Sequence, residues 1–487
     1  MAAAKFWDVP ELKALVFSYL HDAECESDLT SCALVHSTWT GLANNALWQG
    51  HRGTGNSGQL KNDKIITALA TLPRACRQKH ASRVSVLDFS NADDSIIHEM
   101  FDGLDFARLK EVIFNDIWTN DLLTLSRYFL PKLETLRLVN YPSRDENNWF
   151  SASFLEDLAA KCPNLKQISF LVPEAPILSS DLARFFRSIR PREVRLELRW
   201  HEEDFITEDV LSALSYGGRL EVLVFEHKHY DFPDIEALVL QRFCESTANP
   251  FPTLKVLEIE LHADGVPWAV RCFPAVIILT STFFISPEAH VKPVLKYLAR
   301  LSQLQELTIL GPEVESESNM FIPTKEFMGL GSLSKLTTLR ISNSFLPDID
   351  FTEADARIMF SGLGALENLT IKLRAQNDSQ AYPKHILRAI SRFCPRLDSI
   401  EFEGKLRLSC FLGPAAPRFE NVTEMTVNIL RTDLSPSEAA RIIDNAVPAL
   451  VTLRCTSYHR STDEICNAYT ELQHPVRSNG LRPCFER

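Results

Sequence analysis

Leu133-Glu134-Thr135-Leu136-Arg137-Leu138 decides the fold. It reads apolar-x-x-apolar-x-apolar, and its last four residues alternate, as in a strand with one buried face. The form returns at Leu165-Lys166-Gln167-Ile168-Ser169-Phe170, Leu254-Lys255-Val256-Leu257-Glu258-Ile259 and Leu304-Gln305-Glu306-Leu307-Thr308-Ile309. Leu336-Thr337-Thr338-Leu339-Arg340-Ile341 and Leu366-Glu367-Asn368-Leu369-Thr370-Ile371 repeat it again. With the second apolar residue as anchor, the full series is Leu87, Val112, Leu136, Ile168, Leu196, Leu223, Leu257, Leu279, Leu307, Leu339, Leu369, Ile400, Met425 and Leu453. The mean spacing is about 28 residues, the length of one supersecondary unit. Two copies are degenerate on this reading. Glu193 falls at the first apolar position of the fifth, and Ser281 at the third of the eighth.

Helical signals fill the gaps between anchors. Leu182, Phe185, Phe186 and Ile189 share one helix face before Pro191. Ser435-Pro436-Ser437-Glu438 is a capping box with proline at the first helical position. Thr352 with Asp355 predicts a weaker cap, and Gly362 an end to that helix. One strand and one helix per repeat predict an α/β solenoid: stacked units, each burying its apolar face on its neighbours.

The pattern resembles the leucine-rich-repeat family, of the type with Cys-Pro before the strand, as at Cys162-Pro163 and Cys394-Pro395. The resemblance covers residues 83–457 and implies about fourteen irregular repeats with a curved parallel sheet. The family often carries Asn or Cys five residues after the anchor, and this chain has neither at any of those positions. Residues flanking the anchors then face the open side of the sheet. Arg137, Arg195 and Arg199 are expected there with Glu197, and Glu226, Glu258 and Glu260 form an acidic counterpart. Of these, Arg137, Arg195, Arg199, Glu258 and Glu260 are the candidate contacts for a protein substrate. The long insertions around Asp145–Trp149 and Glu313–Met320 are further contact candidates.

Ahead of the repeats lies a different unit. Leu12, Leu15, Val16, Tyr19 and Leu20 have helix spacing after Pro10. An acidic spacer follows, then a second apolar stretch from Leu29 to Trp48. Fifty residues make a small core that usually needs a partner or neighbour. Val9-Pro10-Glu11-Leu12, Leu15 to Leu20, Leu29 to Val35, Trp39 and Leu47-Trp48 resemble an F-box. That resemblance implies a small all-α domain over residues 5–50 that docks the Skp-type adaptor of a Skp–cullin–F-box (SCF) ubiquitin ligase. Its adaptor-binding residues would be Val9, Pro10, Leu12, Leu15, Val16, Leu20, Leu34, Val35, Trp39 and Trp48. Residues 51–82 are then a linker with a helix leading into the repeats, and residues 458–487 a C-terminal cap or tail.

Composition narrows the function classes. The 487 residues carry 51 Lys and Arg against 63 Asp and Glu, a net charge of −12. That sign disfavours nucleic acid and anionic membrane as partners of the chain as a whole. The most apolar run, Ala275–Ile285, is too short for a membrane span. Eleven scattered cysteines without metal or redox spacing read as reduced thiols of a cytoplasmic or nuclear chain. Gly53-Thr54-Gly55-Asn56-Ser57-Gly58 matches G-x-G-x-x-G, but no strand leads into it, so it reads as a flexible linker rather than a nucleotide site. No catalytic constellation, metal motif or cofactor site is found. The expectation is a non-enzymatic substrate receptor that reaches a cullin through its adaptor and binds a protein substrate on its repeats. The alternative is a leucine-rich-repeat scaffold outside ubiquitination, its N-terminal helices merely capping the solenoid.

Overall fold

The computed structural model describes residues 15–20, 26–35, 37–49, 56–90, 95–115, 125–139, 151–172, 178–198, 205–227, 235–284, 294–310, 321–322, 324–342, 346–347, 352–371, 382–456 and 460–477. The chain forms two compact units, Met1–Lys228 and His229–Arg487.

The first unit opens with helices: α1 (15–20), α2 (Glu26–Val35), α3 (Ser37–Trp48), α4 (Asn56–Thr71) and α5 (Arg74–Ala81). Asn56, Ser57 and Gly58, expected in a flexible linker, belong to the first turn of α4. Strands and helices then alternate: β1 (Val86–Asp88), α6 (Ser95–Met100), β2 (Glu111–Asn115), β3 (Thr135–Val139), α7 (Ala152–Lys161) and β4 (Gln167–Val172). They continue with α8 (Ser179–Ile189), β5 (Glu193–Leu198), α9 (Glu208–Ser215) and β6 (Val222–His227). The six strands pair in parallel and in chain order. This is the strand–helix solenoid of leucine-rich-repeat architecture.

Register places Leu87, Val112, Leu136, Ile168, Val194 and Leu223 side by side. The fifth anchor is therefore Val194 rather than Leu196. Buried Pro191 fills the first apolar position, and Arg190, left-handed at φ 50°, turns the chain out of α8 into it. The fifth repeat is thus regular, and Glu193 stands on the open face beside Gln167.

A backbone motif joins successive repeats. Within the first unit, the carbonyl two residues before an anchor accepts two N–H groups of the next repeat. Ser85 O takes Lys110 and Glu111 N–H at 2.8 and 3.0 Å, and Lys110 O takes Glu134 and Thr135 N–H at 2.8 and 2.9 Å. Gln49, just past α3, does the same for the first repeat: its carbonyl accepts Ser85 N–H at 2.9 Å and Val86 N–H at 3.1 Å. The helical module ends as a repeat would.

Under the first strands lies an aromatic cluster of Phe89, His98, Phe101, Phe114 and Tyr128. Farther along, Leu182, Phe185, Phe186 and Ile189 of α8 are buried, as their spacing predicts.

The second unit holds β7 (Val256–His262), β8 (Ile278–Phe284), β9 (Glu306–Leu310), β11 (Thr338–Ser342), β13 (Asn368–Ile371), β14 (Ser399–Arg407), β15 (Glu424–Arg431) and β16 (Thr452–Cys455), parallel and in that order. A separate pair joins β10 (Phe321–Ile322) to β12 (Leu346–Pro347). The anchors of this unit align as expected. Its helices are α10 (Ala237–Ser246), α11 (Val266–Cys272), α12 (Leu295–Leu298), α13 (Thr324–Phe327), α14 (Glu353–Ser361), α15 (Lys384–Phe393), α16 (Pro436–Ala446) and α17 (Arg460–Arg477).

Both expected caps form. Ser435 Oγ accepts Glu438 N–H while Glu438 accepts Ser435 N–H, and Thr352 and Asp355 repeat the exchange. Ser281, at an apolar position, is buried because its hydroxyl donates to Ile259 O at 2.8 Å. Short α12 has no cap of its own. The buried Glu326 carboxylate of α13 accepts Leu295 N–H at 3.0 Å instead.

Two cysteines depart from the reduced-thiol expectation. Cys244 of α10 and Cys272 of α11 form a disulfide one repeat apart. Cys162 and Cys394 are buried core thiols, pushed up to about 12 by burial, as expected for the Cys-Pro positions.

Candidate functional site

The N-terminal module is built around Phe17, Leu29, Ala43 and Ala46, all buried. Leu20, Cys32, Ala33, Trp39, Leu42 and Leu47 pack on them, with Phe17 edge-on to Trp39 at 6.2 Å. Thr40 ties α3 to α2 by donating its hydroxyl to Ala33 O at 2.8 Å.

The apolar stripe read on α1 points largely outward. Leu15 and Tyr19, one turn apart, are 66% and 71% exposed, Val16 is half-buried, and of its described members only Leu20 packs on the core; the residue that fills the core is Phe17, off the stripe. Leu34 of α2 is 83% exposed. Large apolar side chains this exposed are candidates for contact with another surface.

Of the ten expected adaptor contacts, Leu15 and Leu34 are thus outward and Val16 is half-buried. Leu20 and Trp39 serve the module's own core. Trp48 lies against His80 of α5, with ring centroids 4.3 Å apart. Val9, Pro10 and Leu12 lie outside the described residues, as does the side chain of Val35. Tyr19 is an exposed position that motif matching does not single out; its signal is its place one turn after Leu15.

The open face of the first sheet is a hydrogen-bonded chain. Thr135 donates to Gln167 Oε1 at 2.9 Å, and Gln167 donates to Glu193 Oε2 at 3.0 Å. Arg195 donates to the other Glu193 oxygen at 2.8 Å. Arg137 lies 3.7 Å from the buried Glu111 carboxylate. Both candidate arginines that are described are therefore already ion-paired; Arg199 lies outside the described residues. This face presents a linked set of ion pairs and hydrogen bonds rather than free guanidinium groups. Glu111, Gln167 and Glu193 are partners that sequence reasoning misses, because only the register brings them there.

In the second unit, Glu258 and Glu260 of β7 stand beside Thr280 and Thr282 of β8. Burial first, with the Glu258 charge adding and a Thr282 hydrogen bond opposing, pushes the Glu260 carboxyl up to about 7. Farther along, Arg340 lies between Thr308 and Thr370, and Thr370 donates to Glu401 at 3.1 Å.

Among the described residues no group of three or more His, Cys, Asp or Glu side chains is placed to hold a metal ion. No described helix is long and apolar enough to cross a membrane.

No protein-family model matches the chain, and no curated protein matches its sequence. Similar solved structures include Rad7 in the yeast Rad7–Elc1 complex, at 16% identity over 91% of this chain and 98% of that one, with a TM-score of 0.42. The leucine-rich repeat-containing protein LegL7 of Legionella pneumophila is 12% identical over 75% of this chain and 98% of its own, with a TM-score of 0.33. The mouse RP105/MD-1 complex matches at 14% identity over 81% of this chain and 78% of that one, with a TM-score of 0.29.

Proposed function

We propose that the chain is a non-catalytic substrate receptor of an SCF-type ubiquitin ligase. The N-terminal module acts as an F-box that docks a Skp-type adaptor and, through it, a cullin. The repeat faces hold a protein substrate, and proximity raises the effective concentration of its lysines at the transfer machinery. In this role the chain would act in the cytoplasm or nucleus, with no cofactor of its own.

The observation that carries the reading is the outward set Leu15, Tyr19 and Leu34 on a module with a closed core. Burying such side chains contributes about 1.5–3 kcal/mol each before association costs. The test is co-purification of the full chain with a Skp-type adaptor. Wild type should bind, and Leu15→Asp with Leu34→Asp should lose binding at an unchanged thermal midpoint. Failure of wild type to bind, or equal binding by the variant, would overturn it.

One observation favours a second reading, a repeat scaffold whose N-terminal helices only cap the solenoid. Gln49 bonds the first strand as a repeat would. That reading predicts no adaptor binding together with destabilised first repeats when residues 1–50 are removed.

A further inference from the structure

Many of the described cations of the first unit meet a carboxylate. Lys110 and Lys166 share Glu134, Arg184 meets Glu156, Arg192 meets Glu221, and Arg137 and Arg195 are paired as described. Helix α5 is different. Between Asp63 and Asp88 the sequence holds Lys64, Arg74, Arg77, Lys79 and Arg83 and no acidic residue, in a chain of net charge −12.

Arg77 is committed to structure: its guanidinium donates to Leu72, Ala70 and Met100 carbonyls at 2.8, 2.9 and 3.0 Å. Arg74 and Lys79 are exposed and Arg83 is half-buried, and none of the three has a carboxylate partner among the described residues. Asp105 approaches the helix through its backbone, which exchanges two 2.9 Å hydrogen bonds with the Gln78 side chain. The helix is held by Trp48, whose ring packs at a tilt of 42° on His80, and by these Gln78 and Arg77 bonds. Its charges are therefore presented by a pre-ordered backbone, which lowers the ordering cost of binding.

We propose that the outward face of α5, with Arg74 and Lys79 and with Arg83 just beyond, binds a carboxylate-rich segment of a protein partner. Charge complementarity sets the sign of the partner. Size sets its class: a helix of eight residues is about 12 Å long, whereas nucleic-acid binding draws on many phosphate contacts along a longer track.

The test uses the full chain and a fluorescein-labelled Glu-Gly repeat peptide, followed by fluorescence anisotropy. Binding should appear at low ionic strength and weaken steeply as salt rises. Arg74→Glu with Lys79→Glu should weaken it about tenfold or more, with the thermal midpoint unchanged. Lys161→Glu, on a helix of the repeats, should leave it unchanged. No binding at low salt, equal binding by the double variant, or tighter binding to a DNA duplex or phosphatidylserine vesicles than to the peptide would overturn the proposal.

Discussion

Acidification should loosen the first unit through His98. The imidazole is buried against Phe89, Phe114 and Tyr128, with Nδ1 2.9 Å from Tyr128 Oη. Burial first, and the Arg127 charge second, lower its pKa from 6.5 to about 4. In the unfolded chain it titrates near its ordinary value of about 6.5. Between these two values the unfolded chain binds a proton that the folded chain does not. Stability is therefore constant above about pH 6.5, falls as pH drops through the window, and stops falling below about pH 4. At about 1.4 kcal/mol per unit the full loss is about 3 kcal/mol, of which about 2 kcal/mol is gone by pH 5. His98→Phe removes the titration but leaves Tyr128 Oη without its partner, at a cost of about 1–3 kcal/mol at pH 7. Urea unfolding of both proteins at pH 7 and pH 5 checks the reasoning. Wild type should lose about 2 kcal/mol more than the variant between the two pH values. Equal losses would refute it.

Other outcomes follow from single contacts. Gly362→Ala should cost about 3 kcal/mol or prevent folding, because a Cβ there falls on the Gly331 backbone carbonyl of the preceding repeat; the thermal midpoint reads it. Glu326→Ala should lower stability by about 1–3 kcal/mol by orphaning the Leu295 N–H at the start of α12, measured by denaturant unfolding. Reduction, or Cys272→Ser, should lower the thermal midpoint through loss of the link to Cys244. That link closes a loop of 28 residues, for which about 3.5 kcal/mol is expected, and identical midpoints with and without reductant would count against the disulfide.

The solenoid was legible because its signal is local: an anchor such as Leu136 or Leu307 is apolar whatever its neighbours do. The fifth repeat was misplaced by two residues because Pro191 does not read as an apolar strand residue, although its ring fills that position. The stripe on α1 was visible but its direction was not. Leu15 and Phe17 are equally apolar, and only packing against Trp39 and Ala43 turns Phe17 inward. Pairs such as Arg137 with Glu111, or Cys244 with Cys272, sit one repeat apart, so no short motif announces them. They emerge only when register stacks one repeat on the next.

If the N-terminal module docks an adaptor through its outward apolar residues, titration calorimetry of the full chain against a purified Skp-type adaptor should give a saturable complex. Leu15→Asp with Leu34→Asp should bind at least a hundredfold more weakly, about 3 kcal/mol. Undetectable binding by the folded wild-type chain, or equal affinity for the variant, would contradict it.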